Sequence, residues 1–377
     1  MKLQKMKNIL CIWRKDIKHE KFGGSEIVIH EYLKWLSLKW YNVTQISTNS
    51  RNNPSEEIID WIKIIRKFTI HYIYFAFWYY YITKLRGKYD IIIDHAGGIP
   101  MLTPRYEYKK PIIFFTHHIW NKERSEYFHQ WIKMWWIGNV FGWIYNNIIL
   151  KSYKHKKTIT VSKSTADELS ELWFDHIYIL PNTTNVKIMP LTKNPKENII
   201  TIIGRITPNK RIDHAIQVIK QLKDKWYMYK LNIIGNQQDK IEYEKLLKLV
   251  IEYDLSDNII WHGIVSDDKR NSILDNSKYL LITSIKEWFG VVILEANARW
   301  VPAIGYDIWW VRDTICNSKN GILIKNEDIS WITSFIINTD DKQYQELAKD
   351  TNIYISNYPK QSDNVDKFEK ILLDKIE

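Results

Sequence analysis

The sequence predicts an α/β protein made of two doubly wound domains, each a parallel sheet with helices on both faces. Short apolar, β-branched runs recur along the chain without polar alternation, which is typical of strands buried on both faces of a parallel sheet. Helical patterns lie between these runs, and strands that alternate with helices indicate the α/β class. Residues 182–198 are polar, carry two prolines and show no usable periodicity. This stretch is therefore the predicted linker between the domains.

Twelve runs are predicted as strands, six before the linker and six after it. They are Asn8–Trp13, Val43–Thr48, Asp90–His95, Pro111–His117, Thr158–Ser162, Ile177–Pro181, Ile199–Gly204, Leu231–Gly235, Asn258–Gly263, Tyr279–Ser284, Val301–Tyr306 and Gly321–Ile324. Ile29, Leu33 and Leu36 share one face of a predicted first helix. Ser164, with Asp167 three residues on, predicts the start of another helix through a variant of the capping box.

The domain prediction follows from these elements. Residues 1–185 form the first domain, residues 186–355 form the second, and residues 356–377 form a charged C-terminal helix that packs back on the first domain. Ligands are expected at the carboxyl ends of the strands, in the cleft where two such domains face each other.

Composition excludes several classes of protein. The 377 residues carry 54 Lys and Arg against 43 Asp and Glu, with 45% hydrophobic residues and no apolar run of membrane-spanning length. A disordered tail, a disulfide miniprotein and an integral membrane protein are all excluded. Cys11 and Cys316 lie far apart in sequence, which predicts reduced thiols. The basic start is followed by too few apolar residues for a signal peptide, so the predicted location is the cytoplasm.

Two loops could bind an anion. Gly23 and Gly24 precede the first helix, where paired glycines and the helix N-terminus let backbone N–H groups approach a phosphate. The same pair also fits a plain strand-to-helix turn. Arg205, Lys210 and Arg211 follow the first strand of the second domain. A guanidinium fork beside an ammonium suits a diphosphate, while a solvated basic turn is the alternative.

Two carboxylates and a histidine are further candidates. Glu287 is predicted in a loop after a strand, and Glu295 inside a helix that starts near Phe289. Glu295 lies among apolar residues, so it needs either a polar helix face or a partner. His117 ends a strand, where its imidazole could hold a sugar hydroxyl or serve a structural role. The chain has no Asp-x-Asp pair, no HExxH and no clustered Cys or His. We therefore expect no metal, and the basic turn must neutralise the diphosphate.

Aromatic and basic stretches predict a surface for an anionic membrane. They are His71–Ile82 and Trp131–Tyr153, the second followed by Lys154–Lys157. Together with a net charge of +11, they fit peripheral binding at the inner face of a membrane. A buried helix with a solvated end is the alternative.

The motifs FGGSE, GRITPNKR, the Glu287 to Glu295 element and the run VSKSTADEL with ILPN occur in an order that resembles the retaining glycosyltransferases of family 4. That family has the GT-B architecture, in which two Rossmann-like domains face each other across a cleft. The resemblance implies transfer of a sugar from a nucleotide-sugar donor to a glycan or lipid-linked acceptor, without metal or cofactor and with no nucleic-acid partner.

The resemblance also implies roles for individual residues. The donor diphosphate would be bound by Arg205, Lys210, Gly23 and Gly24. Glu295 would bind the ribose, and the backbone near Val265 would bind the base. The catalytic contacts to the sugar would be Glu287 and His117, and the donor-sugar loop would consist of Phe289, Gly290, Trp309 and Trp310. Cations would take up the charge that develops on the leaving diphosphate, and domain closure would exclude water.

Two other functions remain open from the residues alone. A nicotinamide-dependent Rossmann oxidoreductase would need G-x-G-x-x-G after the first strand, and FGGSE lacks that spacing. A basic, aromatic-rich protein that binds membrane or nucleic acid without catalysis would explain the charge, but it leaves Glu287 and Glu295 without a purpose.

Glycine is scarce and tryptophan abundant. Only 13 of 377 residues are Gly, about 3% against an ordinary share of roughly 7%, while 18 are Trp. Tryptophan stands where the family has glycine or where a turn calls for it: Trp40, Trp173, Trp226, Trp288, Trp300, Trp309 and Trp310. We hypothesise that the gene uses a code in which UGA means glycine. Several of these residues should then have positive φ or exposed rings.

Overall fold

A computed structural model describes residues 6–20, 23–69, 72–97, 99–119, 142–183, 187–190, 196–285, 290–325 and 328–374, apart from the side chains of Phe75, Trp309 and Trp310. The chain divides into two compact units. The first contains residues 1–182 and 361–377, and the second contains residues 183–360. The change of unit after Asn182 falls at the start of the predicted linker.

The first unit is built on one mixed sheet. In the part of the chain that is described, its strands are β1 Asn8–Ile12, β2 Asn42–Ser47, β3 Glu56–Ile59, β4 Ile62–Arg66, β5 Ile91–Ala96, β6 Ile112–Thr116, β7 Lys157–Thr160 and β8 Ile177–Ile179. Their order is β3-β4-β2-β1-β5-β6-β7-β8. All neighbouring strands are parallel except β3 and β4. The chain crosses sides between β1 and β5, where doubly wound sheets bind ligands.

Helices cover this sheet: α1 Gly24–Leu38, α2 Ile73–Tyr80 with a π-helical turn Tyr81–Leu85, and α3 Lys163–Glu171. Short turns lie at Thr103–Arg105, Tyr145–Ile149 and Leu150–Tyr153. Helix α3 is capped by Ser162, whose side chain accepts a hydrogen bond from the Thr165 N–H. The cap therefore lies two residues before the predicted position, Ser164. Ser162 has the extended backbone that a cap needs, whereas Ser164 already lies inside the helix.

The aromatic stretch around α2 is mainly core. Ile73, Phe77 and Tyr81 are buried in one cluster, while Trp78 and Tyr79 on the other face are exposed. Periodicity separates the two faces, because the buried residues recur every four positions. Of the aromatic run Trp131–Tyr153, residues 131–141 lie outside the described part of the chain.

The second unit has a fully parallel sheet in the order β11-β10-β9-β12-β13-β14. The strands are β9 Ile199–Ile203, β10 Lys230–Ile234, β11 Ile259–Gly263, β12 Tyr279–Ile282, β13 Ala303–Tyr306 and β14 Gly321–Ile324. The helices are α4 Ile212–Asp224, α5 Lys240–Glu252, α6 Asp267–Asn276, α7 Val291–Asn297, α8 Trp309–Arg312, α9 Ile329–Asn338 and α10 Asp341–Ser356. The strand order reverses between β9 and β12, so this switch point is where a doubly wound sheet holds a ligand.

The chain ends in α11, Gln361–Leu373, which packs on the first unit. Lys39 Nζ lies 2.6 Å from carboxylate oxygens of both Asp366 and Glu369. Lys157 is buried beneath the same helix, and its Nζ donates to the backbone oxygens of Ile371 and Asp374. Lys157 therefore belongs to the docking of α11 and not to the predicted basic surface.

The α/β class and the doubly wound architecture are confirmed, since each of the twelve predicted runs overlaps an observed strand. Sequence reading missed the hairpin of β3 and β4. Its two-residue turn, Asp60–Trp61, has positive φ at both positions, 48° and 66°. This is the geometry of a type I′ turn, for which Asp-Gly is a strong signal. Tryptophan in the glycine position hid the hairpin.

Tryptophans occupy backbone conformations that favour glycine. Of the eleven described non-glycine residues with positive φ, five are tryptophan: Trp40, Trp61, Trp173, Trp226 and Trp300. The rings of Trp40, Trp61, Trp173 and Trp226 are 77–92% exposed. The expectation of positive φ and exposed rings is confirmed at several positions. At Trp309 and Trp310 the φ angles are not positive, because both residues begin the right-handed helix α8; their rings and the whole of Trp288 lie outside the described part of the structure.

Among the described residues, no helix combines the length and apolar character that crossing a membrane requires.

Candidate functional site

The loop after β9 is shaped by a close contact between two backbones. Gly235, at the end of β10, has a φ of 155°, and a Cβ there would lie 1.8 Å from the carbonyl oxygen of Gly204. The Ile206 N–H donates to the Asn236 oxygen at 2.8 Å. Only glycine at position 235 allows this approach. The loop is thereby fixed at the switch point of the second sheet.

Two of the predicted diphosphate ligands lie on this loop. Arg205 is exposed, and its Nη1 donates to Gln238 Oε1 at 3.1 Å. The Lys210 side chain folds over Gly204, with Nζ 3.2 Å from the position that a Cβ on Gly204 would occupy. The third cation, Arg211, contacts His214 instead. The loop thus carries a guanidinium and an ammonium at the carboxyl end of β9.

The loop after β12 is tied to the loop after β9. Thr283 Oγ1 donates to the Lys210 oxygen at 2.8 Å, and the Ile285 N–H donates to the Asn209 oxygen at 3.0 Å. The segment that leads to Glu287 therefore starts beside the basic loop. Glu287 and Phe289 themselves lie outside the described residues.

The helix that carries Glu295 begins at Val291, close to the predicted start near Phe289. Gly290 precedes it with a φ of 64°, and a Cβ there would approach Ile293 Cδ1 to 2.8 Å. Gly290 lies in the left-handed region and not in the right-handed helical region, so it marks the start of the helix. Trp309 and Trp310 are placed only through their backbone, at the start of α8.

Glu295 is a largely buried carboxylate with spare hydrogen-bonding capacity. Its side chain is 14% exposed, Oε1 lies 3.4 Å from Arg270 Nη2, and Oε2 is buried with no hydrogen-bond partner. Burial is the main cause that raises the pKa of Glu295 above its ordinary value. Arg270 belongs to α6, which begins just after Val265 and its capping residue Ser266. The Arg270 contact therefore links the predicted base-binding and ribose-binding elements.

In the first unit, Gly23 and Gly24 stand at the entrance to α1. The Gly23 N–H donates to Glu26 Oε2 at 2.7 Å, and a Cβ on Gly24 would meet nothing within 4 Å. The buried Glu26 carboxylate also accepts from Trp13 Nε1 at 3.0 Å and from Ser25 Oγ at 3.1 Å. Glu26 thus holds the turn in place, and the space around Gly24 is open.

His117 lies in a buried group of rings at the carboxyl ends of β5 and β6. Its ring centroid is 5.0 Å from that of His95, which in turn is 4.1 Å from the Trp13 ring. Burial lowers the pKa of His117 to about 4, and that of His95 well below its ordinary value. Both imidazoles are therefore neutral at pH 7. His117 Nε2 and both nitrogens of His95 have no hydrogen-bond partner, so they can hydrogen-bond a polar ligand.

Asp94 orders the loop that follows His95. Its carboxylate accepts from Thr103 Oγ1 at 2.7 Å, from the Met101 N–H at 3.1 Å and from the Tyr153 hydroxyl. Burial raises the pKa of Asp94 in spite of these hydrogen bonds. The loop is thus pinned from within the protein, beside the two histidines.

Sequence reading missed Trp13, Glu26, His95 and Arg270. His95 could have been found, because it ends a strand beside the one that ends in His117. Glu26 lies three residues after Gly23, a spacing that indicates a capping interaction. Arg270 gave no local signal, since only the packing of α6 beside α7 brings it to Glu295. Among the described residues, no group of three or more His, Cys, Asp or Glu could hold a metal ion.

Two family models match nearly consecutive parts of the chain. The model described as Glycosyltransferase Family 4 matches residues 22–187, and the model described as Glycosyl transferases group 1 matches residues 185–351. Solved structures with the GT-B fold superpose on almost the whole chain. Sucrose-phosphate synthase from Thermosynechococcus elongatus gives a TM-score of 0.73 at 17% identity, covering 97% of this chain and 98% of that one.

Curated relatives are similar over part of their length. A poly(ribitol-phosphate) alpha-N-acetylglucosaminyltransferase of Staphylococcus aureus is 30% identical over 45% of this chain and 34% of its own length. The O-antigen chain mannosyltransferase RfbU of Salmonella typhimurium is 26% identical over 64% of each chain. The chain spans between a third and about two thirds of the length of the curated relatives it matches.

Proposed function

The chain belongs to the GT-B glycosyltransferases of the group 1 and family 4 type, and from that premise we propose that it transfers a hexose from a nucleotide-sugar donor to a glycan or lipid-linked acceptor. The proposal includes retention of configuration and independence of metal ions. The observation that carries it is the basic loop of Arg205 and Lys210 at the switch point of the second sheet, fixed by the Gly235 contact.

Arg205 and Lys210 are assigned to the donor diphosphate. A guanidinium fork and a point-charge ammonium together match its two phosphate groups. In this proposal they neutralise the diphosphate charge without a metal ion. The charge on the leaving group grows as the glycosidic bond breaks, so these cations stabilise the transition state more than the ground state. Gly24 is assigned to the phosphates as a backbone donor, whereas the Gly23 N–H is already engaged by Glu26 Oε2, so Gly23 shapes the turn instead of binding phosphate as the sequence predicted.

Glu295 is assigned to the donor ribose, and the backbone near Val265 to the base. A ribose presents two adjacent hydroxyl donors, and Glu295 Oε2 is a buried acceptor with no partner of its own. Such an atom is costly to leave unpaired, so a donor hydroxyl that reaches it gains binding free energy. These contacts hold the nucleotide while the sugar reacts.

The reaction itself needs little from protein nucleophiles. The acceptor hydroxyl oxygen bonds to the anomeric carbon, the bond from that carbon to the diphosphate oxygen breaks, and the hydroxyl proton passes to the leaving diphosphate. His117 is assigned to a sugar hydroxyl, which its neutral imidazole can bind. Glu287, Phe289 and Gly290 are assigned to the donor sugar through the family pattern that they match, and Trp309 and Trp310 through their positions, where the family has glycine.

A donor panel tests the proposal. The chain is prepared with tryptophan and with glycine at the named positions, each form is mixed with UDP-, GDP- and ADP-linked hexoses, and thermal stabilisation and released nucleoside diphosphate are measured. We expect one nucleotide class to raise Tm and to be slowly hydrolysed, with no loss in excess EDTA. NMR of the transferred sugar reports the anomeric configuration. Absence of both stabilisation and release for every donor contradicts the function, while inversion or EDTA sensitivity contradicts only those parts of it.

The acceptor is proposed as a cell-envelope glycan or its lipid-linked precursor. The relatives named for poly(ribitol-phosphate) and for O-antigen chains act in that kind of synthesis, and a lipid-linked acceptor places the enzyme on the cytoplasmic face of a membrane. Trp143 and Lys151 of the first unit are exposed and supply an aromatic and a basic side chain for it, whereas the exposed His155 contacts Asp175.

Binding to vesicles is expected to depend on charge and salt. Each lysine near an anionic surface contributes about 1 kcal/mol, so Lys151→Glu should weaken binding to phosphatidylglycerol vesicles by about fivefold or more. Binding of the unmodified chain should also weaken as salt rises, because the charges are screened. Lys230→Glu, in the second unit, is the control that should leave binding unchanged. Equal affinity for neutral and anionic vesicles, measured by co-sedimentation, would leave a soluble acceptor as the better assignment.

A further inference from the structure

Glu295 lies in an environment that disfavours its ionised form. Its neighbours along α7, Ile293, Leu294 and Ala296, are fully buried, and Glu295 Oε2 is buried without a hydrogen bond. A carboxylate taken out of water without partners is destabilised unless a charge or a ligand compensates it. Burial accordingly raises the pKa of Glu295. A carboxylate nevertheless binds ribose hydroxyls most strongly when it is ionised, because protonation removes the negative charge of the acceptor and turns one acceptor position into a donor.

Arg270 supplies the compensating charge. Its Nη2 lies 3.4 Å from Glu295 Oε1, and its Nη1 is held 2.9 Å from Asp267 Oδ1 in the first turn of α6. Its side chain is 22% exposed, so the pair is partly shielded from solvent. At 3.4 Å the guanidinium attracts the carboxylate without a short hydrogen bond, and it leaves Oε2 unoccupied.

We propose that Arg270 is a positioning residue for the nucleotide, which keeps Glu295 ionised and directs its Oε2 to the ribose hydroxyls of the donor; this inference rests on the proposed function. Arg270 itself touches no donor atom in this assignment. It acts on affinity through Glu295, so its effect depends on the ribose hydroxyls and on pH.

Other charged groups also act on Glu295. Asp267 on α6 opposes its ionisation, and Arg299, which follows α7, favours it. Arg299 is already engaged by Asp275 Oδ1 at 2.6 Å. On its other side, α7 packs against α10 through apolar contacts of Leu294 with Ile355. Without Arg270, burial and Asp267 act together to raise the pKa of Glu295 further, so donor affinity should be lost at a higher pH than in the unmodified protein.

The test compares a nucleoside diphosphate with its 2′,3′-dideoxy analogue, using UDP, GDP and ADP as probes. The full chain is prepared in two forms, with tryptophan or with glycine at the tryptophan positions named above. The form that binds the nucleoside diphosphates more tightly is used. Arg270→Met removes the charge and keeps most of the volume, while Arg270→Lys keeps the charge. Lys269→Met, an exposed cation on the same helix, is the matched control.

In the unmodified protein the ribonucleotide should bind about tenfold more tightly than the dideoxy analogue, since the analogue leaves a buried acceptor unpaired. In Arg270→Met most of this preference should be lost at pH 6, and part of it should return at pH 8. The affinity for the dideoxy analogue should not change. Arg270→Lys should restore it, and Lys269→Met should not alter it. Adding Arg270→Met to Glu295→Gln should have no further effect.

Four results separate the failures. If Arg270→Met loses affinity equally for the ribonucleotide and the dideoxy analogue, Arg270 has a structural role, and the inference is overturned while the proposed function stands. The same holds if the preference for the ribonucleotide and its pH profile are both unchanged. If Arg270→Met does not fold, an additive effect of Arg270→Lys on Glu295→Gln overturns it. If the unmodified protein binds none of the nucleoside diphosphates, the proposed function falls and the inference with it.

Discussion

Replacement of Arg205 by alanine is expected to lower kcat/KM for the nucleotide-sugar donor by about 10²- to 10³-fold, because a group that stabilises developing charge is worth about 3–4 kcal/mol in the transition state. Arg205 is exposed at the carboxyl end of β9, where its side chain donates a 3.1 Å hydrogen bond to Gln238 Oε1. The alanine variant should therefore fold normally while losing turnover.

Two controls make this prediction specific. Arg205→Lys keeps a charge but loses the planar fork, so its activity should fall between those of the unmodified and alanine forms. Lys230→Ala removes a cation from the opposite end of the same sheet, where β10 begins, and should leave turnover unchanged. Full transferase activity in Arg205→Ala, with initial rates measured over a range of donor concentrations, would remove Arg205 from the site.

Glycine in place of four tryptophans is expected to stabilise the protein by about 2–4 kcal/mol in total. The positions are Trp40, Trp61, Trp173 and Trp226, where the backbone is left-handed and the ring is exposed. A side chain in this conformation costs about 1–2 kcal/mol, and the greater freedom of glycine in the unfolded chain offsets about 0.5–1 kcal/mol of that gain. The positions lie in separate turns, so their effects should nearly add.

The hydrogen bonds at three of these positions indicate why glycine fits. The Trp226 N–H donates to the Lys223 oxygen, and the Tyr227 N–H donates to the Leu222 oxygen, both at 2.9 Å. The same pair of bonds follows α1 at Trp40 and α3 at Trp173. This is the Schellman motif, whose left-handed position is usually glycine. A bulky indole gains nothing there, since its ring points into solvent.

Differential scanning calorimetry can measure this stabilisation, with two matched substitutions. Asp254 occupies the same left-handed position after α5, with a φ of 52°, and Asp254→Gly should change stability less because aspartate tolerates this conformation. Trp331 lies inside α9 with its ring stacked on Phe335, so Trp331→Gly should destabilise by about 1 kcal/mol or more. Loss of stability in the fourfold variant would contradict the expectation.

The recoding hypothesis has a separate and direct test. Intact-mass measurement of the protein from its own source counts how many tryptophan positions carry glycine, and peptide mapping locates them; a mass that matches Trp at all 18 positions would end the hypothesis. Trp13 should remain tryptophan, because it is buried and its Nε1 donates to Glu26. Trp300 is intermediate, since its backbone is left-handed but its Nε1 donates to the Met189 oxygen at 2.7 Å. We also expect the glycine form to bind donor better than the chain as printed.

The sequence by itself determined the class, the two sheets and the basic loop. Apolar runs such as Ile199–Ile203 identify strands because a strand buried on both faces cannot alternate with polar residues, and the loop of Arg205 and Lys210 follows from its place after such a strand. The sequence also located most of the tryptophans that occupy glycine conformations. A turn with positive φ requires glycine at a particular position, and the family motifs show glycine at the same positions. Trp61 escaped because the hairpin it joins had lost its Asp-Gly signal.

Only the tertiary structure decided which side chains meet. Arg270 reaches Glu295 because β9 and β12 are neighbours in the sheet, which places α6 and α7 side by side. His95 faces His117 because β5 pairs with β6, and Trp13 joins them from β1. Lys157 is charged and ends a basic run, yet it is buried because α11 returns to cover it. Each contact joins residues distant in sequence, and local periodicity carries no information about pairs that only sheet order and helix packing bring together.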